Sequence, residues 1–144
     1  MTEDLWKRTA NNLAQMIAAG EVSSLEVVNA HLDRIGEVNG WLNAVTRVLA
    51  DEARTAAIDA DAAVATGDEL GPLHGVPCTV KENVDVSGTA TTQGLPAFAE
   101  LIASTDAPLV ERLRGAGAIP IGRTNLPELG LRVSTDNPLH GLTR

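Results

Sequence analysis

The stretch that decides the fold is GPLHGVPCTVKENVDVSGTATTQGLPAF, residues 71–98, where glycine, proline and β-forming residues replace a helical pattern. Inside it two sets of residues alternate, Val76, Cys78 and Val80 against Pro77, Thr79 and Lys81. Alternation with a period of two is typical of a strand. The stretch therefore predicts a β-strand that enters from a proline-containing turn and carries Lys81.

A helix and a second strand follow the predicted strand. The run APLVERLR, residues 107–114, is helical in pattern, with Thr105 or Asp106 as its N-cap and Pro108 tolerated in its first turn. GAG closes this helix, and a short apolar run follows at residues 118–121. The order strand, helix, strand predicts a right-handed crossover in an α/β sheet.

The residues before this stretch are helical in pattern. Leu13, Met16 and Ile17 recur at helix spacing before Gly20, which predicts a first helix. A second helix is predicted to begin near Ser24. Its start is marked by Ser23 and Glu26, which have the spacing of a capping box.

A third, mostly solvent-facing helix is expected from about residue 46 to residue 66, in a segment rich in Ala, Asp and Glu that ends before Gly67. No flexible linker separates the helical part from the β-containing part. The chain is therefore expected to form one structural unit, with a helical portion at residues 1–70 and a strand and helix portion at residues 71–144.

Composition excludes several classes of function. The 144 residues hold 11 Lys and Arg against 19 Asp and Glu, a net charge of −8, which argues against a direct nucleic-acid partner. The single cysteine, Cys78, leaves no disulfide framework and no Cys cluster for zinc. No apolar run approaches the roughly 20 residues of a membrane span. These features predict a cytoplasmic protein without a membrane partner.

Lys81 is the most informative residue for chemistry. A lysine in a strand of an α/β core either emerges into solvent or loses its hydration, and lost hydration favours a neutral amine that can accept a proton. The same pattern is typical of an edge-strand lysine whose stem covers apolar neighbours. The residues alone therefore leave a catalytic and a structural interpretation open.

Other polar residues admit the same two interpretations. Glu82 and Asp85 could serve as counter-ions or as an acid and base pair, although a solvated strand end explains them more simply. Cys78 is better explained as a small core residue than as a nucleophile. His74 and His140 lie in glycine-flanked loops, where both are expected to hydrogen-bond backbone groups.

The last part of the chain is rich in turn residues. The segment TNLPELGLRVSTDNP, residues 124–138, could line a pocket with backbone donors or form a plain surface loop, and its composition leaves both open. The ending DNPLHGLTR stops without a closing helix or strand, so the chain is expected to be truncated.

Two ordered blocks of this sequence resemble a known family. They are GPLHGVPCTVKENVDVSGTATTQG, residues 71–94, and DAPLVERLRGAGAIPIGRTNLPEL, residues 106–129. Together they strongly resemble the first half of the amidase signature enzymes, and the likeness runs from about Leu13 to Arg144. It includes the SSLEVVNAHLDRI helix, residues 23–35, and the DNPLHGLTR tail.

The resemblance implies a fold and a catalytic apparatus. Members of this family use a Lys, cis-Ser, Ser triad on an α/β fold with a mixed central sheet flanked by helices, of which this chain would hold an incomplete part with amino-terminal helices. The lysine of the VKEN motif falls on Lys81, and a neutral lysine is what the proton relay needs. By their place in the family motif, Gly130, Leu131 and Arg132 are expected to lie near the acyl side of the bound substrate. No metal or organic cofactor is implied.

Both family serines lie in a glycine- and serine-rich segment that follows these motifs. The serines of this chain match neither role: Ser23, Ser24, Ser87, Ser104 and Ser134. The oxyanion hole, formed in the family by backbone amides just before the nucleophile, is expected to be missing as well. The 144-residue chain is therefore expected to be inactive alone.

The implied function is that of an amidase, which hydrolyses a small carboxylic amide to acid and ammonia through a serine acyl-enzyme. One alternative is the amidase subunit of a glutamyl-tRNA amidotransferase, which takes ammonia from glutamine and requires partner subunits. Another is a catalytically inactive short binding or assembly module. The expected protein partner is either a second copy, in a homodimer, or the missing carboxyl-terminal portion.

Overall fold

The computed structural model describes residues 5–144. Its regular elements follow one another as α1 (Ala10–Ala18), α2 (Ser24–Leu42), β1 (Val45–Val48), α3 (Ala50–Thr66), β2 (Pro77–Lys81), α4 (Pro108–Gly115) and β3 (Ile119–Thr124). Short 3-10 turns add to these at Leu5–Lys7, Pro96–Phe98 and Glu128–Gly130. Within residues 5–144, no helix combines the length and the apolar character needed to cross a membrane.

The strands form one mixed sheet with β3 in the centre. β2 runs parallel to β3, with Lys81 opposite Thr124, and β1 runs antiparallel along the other side, with Val48 opposite Gly122. The helix α4 lies between the two parallel strands in sequence, as predicted. The expectation of an α/β fold with a mixed sheet is therefore confirmed, and β3 continues past the predicted end at residue 121.

β1 occupies residues that were expected to begin the third helix. That helix was predicted from about residue 46, but α3 starts only at Ala50. Three of the four residues of β1, VTRV, are β-branched, a side-chain shape that favours strands. Leu49 donates its amide to the Ile121 carbonyl at 3.0 Å, which continues the pairing with β3. For residues 45–48, pairing with the distant strand β3 therefore determines the structure, although the residues that follow have a helical composition.

The amino terminus of α2 is fixed by side chains from two helices. The Glu26 amide donates to Ser23 Oγ at 3.1 Å and the Ser23 amide donates to Glu26 Oε2 at 2.9 Å, so the predicted capping box is confirmed. Asp61 of α3 accepts from the amides of Ser24 and Leu25 at 2.6 and 3.2 Å. This carboxylate lies at the positive end of the α2 dipole and joins α3 to α2.

The cap predicted for α4 is wrong. Its N-cap is Ala107, which offers no side-chain hydrogen bond, rather than Thr105 or Asp106. Asp106 is engaged elsewhere, because its carboxylate accepts from the Ser87 amide at 2.7 Å and from Arg114 Nε at 2.8 Å. Asp106 therefore ties α4 to the loop after β2 instead of capping the helix.

Apolar clusters join the strands of the sheet to the helices. α2 and α3 pack on the central strand through Val28, Leu32, Ala53, Ala57, Ile119 and Ile121. A second cluster joins α1 and α2 to the residue before β2, and it consists of Leu5, Leu13, Ile17, Val27 and Val76. A third lies between β2 and α4 and consists of Val80, Val86 and Val110. The strand that carries Lys81 is therefore anchored in the core on the Val80 side.

Candidate functional site

Lys81 is the last residue of β2, which confirms its predicted place on a strand. Of the two environments that the strand pattern left open for this lysine, residues 5–144 give the exposed one. Thr79 and Lys81 are both exposed, whereas Val80 between them is buried. Because alternate side chains of a strand point to opposite faces, Lys81 lies on the face that residues 5–144 leave uncovered.

Glu82 is buried, which contradicts its interpretation as part of a solvated strand end. Only 3% of the residue is exposed, because it lies two positions after Val80 and continues the buried face of the strand. Its carboxylate accepts hydrogen bonds from the hydroxyls of Thr46 and Thr92, and His140 Nε2 lies 2.8 Å from Oε2. Glu82 is thus a buried carboxylate whose partners come from three separate segments.

Asp85 differs from Glu82 in its surroundings. Asp85 is exposed, as the solvated interpretation requires, and its carboxylate accepts from Thr91 Oγ1 at 2.6 Å. The two carboxylates therefore have different partners and different exposure. Nothing in this arrangement resembles two equivalent carboxyl groups that share one reacting atom.

Arg123 is the site residue that the sequence analysis missed. It lies in β3, is only 1% exposed, and directs its guanidinium at the loop that follows Lys81. Four carbonyl groups accept from it, at 3.4, 3.2, 2.6 and 3.2 Å, and they belong to Val80, Lys81, Val84 and Ala90. The Thr89 hydroxyl accepts as well. One charged side chain therefore shapes the whole turn after the proposed base.

Burial sets the electrostatics of this side chain. Loss of hydration lowers the pKa of Arg123, while the nearby carboxylates of Glu82 and Asp85 act in the opposite direction. An arginine is the suitable residue here because its planar fork can serve several acceptors at once and stays charged when buried. The signal in the sequence was a single charge inside the apolar run IPIGRT, which is typical of a buried cation as well as of a strand end.

The two loop histidines have different roles. His74 Nε2 lies 2.9 Å from the Ala60 carbonyl, so its predicted backbone hydrogen bond is confirmed. His140 instead places its ring against the Glu82 carboxylate, and the prediction of a backbone partner for that ring is wrong. The reason is that residues around His140 fold back over the carboxyl end of β2, where a buried carboxylate needs donors.

Asparagine side chains hold this returning segment in place. Asn137 Nδ2 donates to Asn125 Oδ1 at 2.6 Å, and Asn137 Oδ1 accepts from the His140 amide at 2.7 Å. Asn43, after α2, donates to the His140 carbonyl at 2.7 Å. Both backbone groups of His140 are therefore bonded to asparagines, which fixes the ring beside Glu82.

Gly130, Leu131 and Arg132 are all exposed, and Leu131 is 80% accessible. They follow a tight turn in which Leu129 adopts a φ of 52° and donates its amide to the Gln93 carbonyl at 2.9 Å. Among residues 5–144, no hydrogen bond links Lys81 directly to these three residues. Their substrate-binding role therefore stays a prediction.

Cys78 lies only partly in the core, which its interpretation as a small core residue did not foresee. It is half-buried, and burial raises the pKa of its thiol, although the charge of Arg114 partly opposes this change. A raised thiol pKa disfavours the thiolate that a nucleophile needs. Among the described residues 5–144, no group of His, Cys, Asp and Glu is arranged to hold a metal ion.

The comparison with known proteins decides the family. A family model with the description Amidase matches residues 26–144, which is most of the chain. The chain belongs to the amidase signature family. The likeness inferred from the two sequence blocks is therefore confirmed at the level of the family.

Individual amidases support the same assignment. An indoleacetamide hydrolase of Bradyrhizobium diazoefficiens is 52% identical over 139 residues, which are 96% of this chain and 26% of that protein. A glutamyl-tRNA(Gln) amidotransferase subunit of Acidothermus cellulolyticus is 45% identical over 141 residues, which are 98% of this chain and 28% of that protein. A solved fatty acid amide hydrolase superposes with a TM-score of 0.93 at 28% identity, over 99% of this chain and 25% of the other.

This member of the family thus spans about a quarter of the length of the relatives that it matches. Its membership of the family establishes the kind of fold. The triad role of Lys81 and the substrate contacts of Gly130, Leu131 and Arg132 stay predictions.

Proposed function

We propose that this chain supplies the lysine base of an amidase that hydrolyses a small carboxylic amide to acid and ammonia. The supporting observation is the place of Lys81, at the exposed end of a core strand whose following turn is fixed by Arg123. The exposed side chain of Lys81, on a rigid backbone, is accessible to a serine from another segment. No cofactor is needed for this chemistry.

The proposed mechanism is a proton relay from the nucleophilic serine to Lys81. The nucleophilic serine attacks the amide carbonyl carbon and passes its proton through the cis-serine to the neutral amine of Lys81. The proton then returns to the departing nitrogen as the carbon–nitrogen bond breaks, which leaves an acyl-enzyme and ammonia. Water enters by the same relay, and its attack on the ester releases the carboxylic acid and restores the serine.

We infer that Gly130, Leu131 and Arg132 border the acyl part of the substrate. Their exposure and the fixed turn before them suit a surface that a ligand covers. The sequence of the segment also suits this role, because glycine exposes backbone donors and leucine supplies an apolar contact. The proposed substrate is therefore an amide with an acyl group of partly apolar character.

The amidase subunit of a glutamyl-tRNA amidotransferase is the second candidate, and the 45% identity with a protein of that name supports it. In that case the amide would be glutamine and the ammonia would pass to another protein of the complex. Glutaminase activity that appears only when partner subunits are present would favour this candidate. Hydrolysis of simple amides by the protein without partners would favour the first. In either case we propose a cytoplasmic enzyme.

The experiment compares ammonia release from a simple aromatic amide by the 144-residue chain and by the protein translated from its uninterrupted reading frame. We expect no turnover by the 144-residue chain and measurable turnover by the longer protein. In the longer protein, Lys81→Ala is expected to lower kcat about 10²- to 10⁴-fold, the usual contribution of a positioned base. The matched control is Thr79→Ala, an exposed residue on the same face of β2, which should leave kcat unchanged.

Two results would contradict the proposal. Turnover by the 144-residue chain would mean that the nucleophile lies within it, and an undiminished rate in Lys81→Ala would mean that Lys81 is not the base. A reading frame that stops at Arg144 would instead support the short binding or assembly module.

A further inference from the structure

The backbone of Lys81 is held from two directions at the end of β2. On one side, Arg123 donates to the Lys81 carbonyl at 3.2 Å. On the other, the Glu82 amide donates to the Thr124 carbonyl at 3.0 Å, which extends the pairing of β2 with β3 by one residue. The side chain of Glu82 then continues into the buried network with Thr46, Thr92 and His140.

Each partner of Glu82 comes from a different part of the fold. Thr46 belongs to β1, Thr92 to the loop after β2, and His140 to the returning segment near the end of the chain. A rotation of Glu82 would break its bonds to all of these partners at once. A carboxylate with several donors in a buried site has one favourable orientation, so its backbone has one favourable position.

A purely structural role explains this arrangement poorly. Burying a carboxylate is costly, and apolar side chains of similar volume often serve stability as well or better. The network also converges on the residue adjacent to Lys81, whereas the core clusters already anchor the strand through Val80. What the network adds is a fixed direction for the chain at the point where Lys81 projects.

We propose that Glu82, held by Thr46, Thr92 and His140, is a positioning residue that fixes the backbone from which Lys81 projects. This inference rests on the proposed role of Lys81 as the base. A catalytic group must be held close to its productive position, and a displacement of about 1 Å can lower a rate about 100-fold. His140 connects this position to the returning segment, because Asn43 and Asn137 hold both of its backbone groups.

The first measurement is hydrogen exchange of backbone amides in the 144-residue chain, which does not depend on activity. In Glu82→Ala, the amide of residue 82 should exchange at least 10-fold faster, while the amide of Ile119, bonded to the Val76 carbonyl, should change less than 2-fold. Glu82→Gln should restore slow exchange, because its amide oxygen can still accept from the Thr46 hydroxyl and its side chain keeps the volume of glutamate. The control is Glu111→Gln, the same chemical change at an exposed residue of α4.

The second measurement is kinetics of the longer protein. Glu82→Ala should lower kcat at least 10-fold with KM within 2-fold of the parent, and Glu82→Gln should recover kcat to within about 3-fold. If Glu82→Ala does not fold, Thr92→Val removes one donor without loss of volume and should give a smaller change in the same direction. Equal acceleration of all amides, or a kcat that Glu82→Ala leaves unchanged, would overturn the inference.

The two proposals fail in different ways. If Lys81→Ala keeps full turnover, the role of Lys81 as the base is wrong, while the exchange measurement still decides whether Glu82 fixes the backbone. If Lys81→Ala is inactive but Glu82→Ala has normal exchange and kcat, the base is correct and the positioning role of Glu82 is wrong.

Discussion

Arg123 is the residue whose removal should harm the fold most. Its guanidinium serves four backbone carbonyls and a hydroxyl in a site closed to water, so truncation leaves several buried acceptors without donors. We expect Arg123→Ala to lower the free energy of unfolding by about 3 kcal/mol or more. Arg123→Lys should also destabilise, because an ammonium cannot reach acceptors spread over this turn. Chemical denaturation measures both.

The control for this prediction is Arg112→Ala, an exposed arginine on α4. It should change the free energy of unfolding by less than about 0.5 kcal/mol. If Arg123→Ala unfolds at the same denaturant concentration as the parent, the buried guanidinium does not organise the turn after Lys81.

Ser23 is the residue that starts α2, and its hydroxyl satisfies an amide that has no partner inside the helix. Ser23→Ala should lower the free energy of unfolding by about 1 kcal/mol, measured as a lower melting temperature. Ser134→Ala, at an exposed position, is the matched control. Equal melting of Ser23→Ala and the parent would count against the cap.

The capping box of Ser23 and Glu26 should make the free energy of unfolding depend on pH. The backbone amide of Ser23, followed by its hydroxyl, lowers the pKa of Glu26 from its ordinary value of 4.5. A carboxyl group with a lowered folded pKa stabilises the fold fully above its unfolded pKa and loses that contribution as the pH falls through the folded value. The stability difference between the parent and Glu26→Gln should therefore be constant above about pH 5 and decrease below pH 4.5. A difference that grows on acidification would contradict this sign.

At the scale of elements, α2 and β2 could be predicted because local residues specify them. Ser23 and Glu26 mark the start of the helix, and the alternation that ends at Lys81 marks the strand. β1 could not be predicted in this way, since only four residues form it and their partner β3 lies far along the chain. The cap of α4 was missed for the same reason, because Asp106 is used by residues from another loop.

The contact between β1 and β3 depends on the absence of a side chain at Gly122. A β-carbon there would lie 2.9 Å from Val45 Cγ1 and 3.0 Å from the Arg47 carbonyl oxygen, too close for unchanged strands. We expect Gly122→Ala to lower the free energy of unfolding by about 1 to 3 kcal/mol, as overpacked substitutions do. Thermal or chemical unfolding measures this change.

Gly36 provides a control, because the same substitution there should raise the free energy of unfolding instead of lowering it. It lies inside α2, and a β-carbon added there meets nothing within 4 Å. Gly36→Ala should therefore raise the free energy of unfolding by about 0.5 to 1 kcal/mol, because alanine restricts the unfolded chain and favours a helix. If Gly122→Ala were equally stabilising, the close approach of β1 to β3 would be incorrect.

At the scale of the whole molecule, the family and the sheet were accessible from sequence, whereas the surroundings of Lys81 were not. The VKEN motif and its ordered neighbours indicate the amidase family, and the strand around Lys81 follows from alternation. The hydrogen bonds from Arg123 to the Lys81 carbonyl and between His140 and Glu82 join residues more than 40 positions apart along the chain. Such pairings depend on how the chain returns on itself, which no local pattern reports.

The exposed surface of the whole molecule indicates that copies of this chain associate with one another. Exposed apolar side chains lie in the segments around the proposed site: Leu101, Ile102, Leu129, Leu131 and Val133. In the described residues β1 and β2 form the two edges of the sheet, which leaves backbone groups along both edges available for pairing. We therefore expect the 144-residue chain to self-associate at micromolar concentration, measured by sedimentation velocity.

Leu131→Ser with Val133→Ser should shift the population towards monomer, whereas Ile58→Ser, an exposed apolar residue of α3, should not. A chain that stays monomeric at high concentration, or equal effects of the two sets of substitutions, would show that this surface does not drive association.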